Sequence, residues 1–197
     1  MHRKILALSV RACLLPLVAS VAVSGCSGTV DDAEAAEVAY LGLDQAVDRA
    51  IKLGFEGYNA ANSANIPEQE DLGIGGGTMV VGGKVDQGNS DNKNMDLEVT
   101  LTSYTDGLVR GDFDIVYNGG PAILDLSLKG LPEAELTGTF QGSFLMDGDL
   151  AGAIELDLSI TGMTQDSGGT IVRAPGTIRV TGSATSDYGV FPVDVSL

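Results

Sequence analysis

Two hydrophobic periods divide the chain. Leu43, Val47, Ala50, Ile51, Gly54, Phe55 and Tyr58 recur at three- and four-residue spacing, which is the single apolar face of an amphipathic helix. Asp44, Gln45, Asp48, Arg49, Lys52 and Glu56 fill the opposite face, with Asp48 and Lys52 in the favourable i,i+4 order. This predicts a helix over about 38–60, weakened at its end by Gly54 and Gly57, with Pro67 forbidding a long continuation. The polar face is not basic, so packing on the protein's own sheet is expected over a surface-seeking membrane helix.

From Thr78 onward the period is two. Met95, Leu97, Val99 and Leu101 alternate with Asp96, Glu98, Thr100 and Thr102, and Leu124, Leu126 and Leu128 alternate with Asp125, Ser127 and Lys129. Similar runs over 78–85, 109–117, 136–146, 150–160, 178–184 and 191–197 give eight predicted strands. Between them stand turn signals such as Thr105-Asp106-Gly107, Asn118-Gly119-Gly120-Pro121 and Asp147-Gly148-Asp149. Short connections require antiparallel neighbours, so the expected fold is mainly β: a meander of about eight strands with the helix packed against it. Glycine recurs on the apolar face at Gly111, Gly138, Gly142, Gly152 and Gly182, which suits strong coiling and a barrel-like curl. Residues 61–77 read as a loop. Its Gly75-Gly76-Gly77 run is no phosphate loop, because no Lys-Ser/Thr follows and a strand comes next in place of a helix.

The N-terminus changes the composition. A basic Met1–Lys4 head, an apolar stretch to about Val23 interrupted by Arg11 and Pro16, and small residues before Cys26 describe a secretory signal. Val23-Ser24-Gly25-Cys26 resembles the lipobox of the bacterial lipoprotein signal peptide: aliphatic, small, Gly or Ala, then Cys. The resemblance covers residues 1–26. It implies cleavage after Gly25, a diacylglyceryl thioether on the Cys26 sulfur with an acyl chain on its new amine, and, with Ser27 following, an outer-membrane address in the cell envelope. Residues 26–37, small and acidic, then read as a tether, and 38–197 as one domain.

The whole chain has 11 bases and 27 acids. Removal of residues 1–25 takes Arg3, Lys4 and Arg11 but no acid, which leaves eight bases and a net charge of 8 − 27 = −19. His2 and Cys13 go as well. The remaining chain has no histidine and one cysteine, hence no His base, no Ser–His or Cys–His pair and no His/Cys zinc site. So acidic a chain is unsuited to nucleic acid. Carboxylate pairs at glycosidase spacing are inevitable among 27 acids, but there is no Trp to hold a sugar. The expectation is a protein that is not an enzyme and needs no cofactor.

Turn-based registers pair Tyr104 with Leu108 and Tyr117 with Ala122. They set Glu98 opposite Asp114 and Asp114 opposite Asp125, a row of three carboxylates on the polar face. Lys84 falls opposite Asp96, and Lys129 between Arg110 and Glu135. The carboxylate row invites calcium, yet three monodentate ligands leave most of its shell unfilled, and a solvated acidic face is the plainer account. The loop Asp86–Asp96 fits no EF-hand frame: positions three and five counted from Asp86 are Gly88 and Ser90.

Three non-catalytic roles follow. The domain is structural or binds an envelope partner, or its curled sheet encloses an apolar ligand such as a fatty acid beside Phe113, Phe140 and Phe144. A membrane barrel would need aromatic girdles, which Tyr104, Tyr117 and Tyr188 alone do not make.

Overall fold

The computed structural model describes residues 31–86, 88 and 90–197. Two helices come first, α1 (Asp32–Leu41) and α2 (Asp44–Ala60). Nine strands follow: β1 (Asn65–Leu72), β2 (Gly76–Val85), β3 (Asn92–Thr105), β4 (Ile115–Lys129), β5 (Glu135–Gly148), β6 (Gly152–Ser167), β7 (Thr170–Arg173), β8 (Arg179–Ser186) and β9 (Gly189–Ser196). Every pairing is antiparallel, in the order β1-β2-β3-β4-β5-β6-β8-β9, with β7 folded back on the far end of β6. The meander is as expected. The sheet is curled but not closed, since β1 and β9 pair with no strand beyond β2 and β8.

Four boundaries differ from the sequence reading, each for a local reason. The supposed tether is helical from Asp32, because Asp31 caps the first turn by accepting the Glu34 N–H (2.8 Å) and alanines fill the buried face. Residues 61–77 are not all loop. Asn65–Leu72 forms an edge strand whose Pro67 and acids hide it from pattern reading, with Ile66 its one buried side chain. Asn118-Gly119-Gly120-Pro121 is a bulge inside β4, where Gly119 and Gly120 take positive φ and the registers to β3 and β5 both shift. Val109–Phe113 is no sheet strand. It closes on itself, the two residues exchanging both backbone bonds, with Arg110 and Gly111 at positive φ at its tip.

The two helices occupy the concave side of the sheet. α2 lies against β1 and β2, and the β6–β7 hairpin crosses over it: Asn59 holds both backbone groups of Ile171 (2.8 and 2.9 Å), and Arg173 pairs with Asp48. Gly57 lets β1 pass closely, for a Cβ there would sit 3.1 Å from the Pro67 carbonyl oxygen. α1 packs on β8 and β9, where Tyr40 stacks on Phe191 (centroids 5.6 Å). The helices meet at Gly42-Leu43. There the buried Tyr117 hydroxyl donates to the Ala39 carbonyl (2.8 Å), fixing α1 to β4. Among the described residues no helix is long and apolar enough to cross a membrane.

Candidate functional site

Cys26, the expected lipidation residue, lies outside the described residues. The carboxylate row Glu98, Asp114 and Asp125 is not assembled. Because 109–113 closes on itself, β3 pairs directly with the continuous β4: Tyr104 faces Tyr117, Glu98 faces Ile123, and Asp125 faces Asp96. Asp114 falls outside the ladder, its amide donating to Asp149 (2.8 Å). Among the described residues no three His, Cys, Asp or Glu side chains are grouped to hold a metal. The expected Lys84–Asp96 and Lys129–Glu135 pairings are present, whereas Arg110 is on α1's flank and not beside Lys129.

What the true register does create is one like-charged neighbour pair, Asp96 and Asp125, flanked by Asn94, Ser127, Thr137 and Thr139. These line a shallow open cleft of about 460 Å³ on the polar face. Partial burial, then the charge and hydrogen bond of Asp96, raise the Asp125 carboxyl above its ordinary range. A carboxyl raised on folding binds its proton more tightly in the native state, so its contribution is favourable in acid and is lost as pH rises through the folded value. Asp125→Asn is therefore expected to stabilise the protein at neutral pH by about 0.5 kcal/mol, less in salt because both groups meet water. Urea unfolding should show the gain vanish well below about pH 3.9. A gain of equal size in acid would contradict this cause.

The densest polar network lies at one end of the sheet, around Arg49 on α2. Its guanidinium reaches Asp71 (3.1 Å) and the Leu72 carbonyl (2.6 Å) at the close of β1, and Asp106 (3.2 Å) beyond β3. Asp106, with only 8% of its side chain exposed, also accepts the Tyr104 hydroxyl (2.6 Å) and the Ile74 amide (3.0 Å). The Leu72 amide, then Arg49, hold the Asp71 carboxyl below its usual range. Burial, then Asp106, push the Tyr104 hydroxyl well above its usual range. The network fastens a helix to two loops.

Compared with protein-family models, curated proteins and solved structures, the chain matches none. Function has to be read from its own residues.

All four described arginines follow the same rule. Arg110 joins the loop after β3 to Glu34 and Glu37 of α1, Arg173 joins β7 to Asp48 of α2, and Arg179 joins β8 to Asp194 of β9. In the sequence Arg49 is distinguished only as one residue of the polar helix face. The available signal was scarcity: with so few bases among 27 acids, each arginine has a choice of partners.

The interior offers little space. The gap between α2 and the sheet, bounded by Leu43, Val47, Met79, Phe140 and Phe144 among others, has no room for a water molecule. Phe55 is buried and Tyr58 packs at its edge. Thr164, buried among apolar residues, is satisfied by the Ala134 amide (2.7 Å) and the Pro132 carbonyl (2.8 Å).

Proposed function

We propose that this chain is a lipid-anchored protein of the bacterial cell envelope, at the outer membrane, whose β domain is non-catalytic and acts as a structural or partner-binding unit. The observation that carries the anchor is Val23-Ser24-Gly25-Cys26 behind a basic head and an apolar run. Several acyl chains, each CH₂ worth about 0.8 kcal/mol when buried, hold so acidic a domain at a membrane that its charge would not seek. The non-catalytic reading is supported by the lack of histidine and of any second cysteine beyond residue 25, which removes the common base and nucleophile pairs.

A carrier of apolar ligands needs an internal space of a few hundred Å³. Here the barrel-like curl of the sheet is occupied by α1 and α2, and the gap beneath α2 is closed to water. That favours the structural or partner-binding role over carriage.

Mass spectrometry of the mature N-terminus is the direct test. The expected product begins at an acylated Cys26, and an unmodified Cys26 peptide would sink the assignment.

A further inference from the structure

Five of the seven large hydrophobic side chains that stand exposed among the described residues gather at one end of the sheet. Leu72 (60% exposed) closes β1, Ile74 (71%) tips the β1–β2 turn, and Leu108 (60%) follows β3. Leu145 points outward near the end of β5, and Val190 near the start of β9. The first two are held in place from the backbone. The Ile74 amide donates to Asp106 (3.0 Å), the Gly75 amide to the Thr105 carbonyl (2.9 Å), and the Leu72 carbonyl accepts from Arg49. Isolated exposed apolar residues need no explanation, but several convergent ones on a braced platform mark a contact surface.

The same end is where the chain enters the domain. Glu34 and Glu37 of α1 reach Arg110, two residues from Leu108, and a Cβ on Gly189, at the start of β9, would meet the Ala36 methyl at 3.8 Å. Cys26 precedes Asp31 by five residues, which at about 3.5 Å per residue span at most about 18 Å. β3 is 14 residues long, so the opposite end of the sheet stands roughly 45 Å away along the strands. A leash of that length cannot turn the domain over. Whatever surface holds Cys26 therefore lies on the side of this end of the sheet, which carries Leu72, Ile74 and Leu108.

We propose that this end of the sheet rests on the zwitterionic lipid surface into which Cys26 is acylated, with Leu72, Ile74 and Leu108 entering the interface. The proposal deepens the anchored reading above and depends on it. Charge selects the lipid. Asp71 and Asp106 are engaged by Arg49, and Glu34 and Glu37 by Arg110, but Asp112, Asp114, Asp147 and Asp149 at this end form no ion pair with a described residue. An anionic leaflet would repel those four, while a zwitterionic one tolerates them and admits the apolar side chains. A protein with a basic rim would also complement this end. The short leash favours the bilayer, because lipid is the surface that reach guarantees.

The test uses the acylated mature chain, extracted from membranes and reconstituted in phosphatidylcholine vesicles. Ile74→Cys and, separately, Leu108→Cys carry an environment-sensitive fluorophore, with Glu133→Cys in the turn at the opposite end as the reference. The Cys26 sulfur is blocked by its diacylglyceryl thioether, so each label is unique. Lipid spin-labelled near the headgroup is expected to quench positions 74 and 108 at least twofold and position 133 not at all. Replacing about a third of the lipid by phosphatidylglycerol should reduce that quenching. Equal quenching at both ends, or none at 74 and 108, overturns the proposal, as does a photo-crosslinker at position 74 that captures a protein and no lipid in native membranes. Mass spectrometry of the same sample separates the two readings. Acylated Cys26 without quenching rejects the docking alone, and unmodified Cys26 rejects the anchor and the docking with it.

Discussion

Arg49→Met is expected to lower the free energy of unfolding by about 3 kcal/mol, read from urea denaturation, because it leaves the nearly buried Asp106 without its counter-charge. The methionine can occupy the space of the aliphatic stem but supplies no donor for Asp71, the Leu72 carbonyl or Asp106. Arg49→Lys should fall between, since one ammonium cannot serve three acceptors on two loops at once. The pH dependence gives a second reading. Asp71 is held below its ordinary range in the folded state, so its contribution is present above the unfolded carboxylate value and is lost as pH falls through the folded one. In Arg49→Met this acid-side loss should shrink without vanishing, for the Leu72 amide still donates to Asp71 (2.9 Å). If both variants unfold within about 0.5 kcal/mol of wild type, the network is a surface feature and not a brace.

Gly42→Ala should be comparably damaging for an unrelated reason. Gly42 has an ordinary helical φ of −68°, so alanine meets no backbone strain. Its Cβ, however, would fall on the Tyr117 hydroxyl and sit 2.9 Å from the Tyr117 Cζ. The ring must move, which breaks the buried bond to Ala39 and overpacks the junction of the helices, at a combined cost of about 3 kcal/mol. Tyr117→Phe alone should cost about 1 kcal/mol by leaving the Ala39 carbonyl unmet. Together the two changes should cost less than their sum, because removing the hydroxyl relieves the worst clash. Strict additivity in that cycle would show that Gly42 does not act through Tyr117.

The helix α2 and the alternating cores of the long strands were legible in the sequence because burial there follows one period without interruption. Leu43, Val47, Ala50, Ile51 and Phe55 are all buried, as are Met95, Leu97, Val99, Leu124, Leu126 and Leu128. Local rules failed where one signal has two physical outcomes. Asn118-Gly119-Gly120-Pro121 serves equally as a turn or as a bulge, and which one forms depends on whether β3 is long enough to pair on both sides of it. That single choice moved the β4 register and dissolved the Glu98, Asp114 and Asp125 row. α1 was misread because Ala35, Ala36 and Ala39 bury little area each, so an alanine-rich helix and a small acidic linker look alike without the Asp31 cap in view. The Arg49 network could not be read at all. Its three acceptors come from residues 22, 23 and 57 positions away, and only the folded sheet brings them together.

The seating of α1 and α2 against the last strands also governs how quickly the native state is reached. Tyr40 stacks on Phe191, Asp48 meets Arg173 across 125 residues, and Asn59 meets Ile171 across 112. The helices can form early from local contacts and α2 meets β1 and β2 soon after it in the chain, but α1 lacks its partners until β8 and β9 arrive. Loop-closure entropy for those distant pairings is spent before they return any stabilisation. These distant pairings raise the contact order of an otherwise sequential meander, and a half-built form with α1 uncovered and strand edges open is the species most exposed to aggregation.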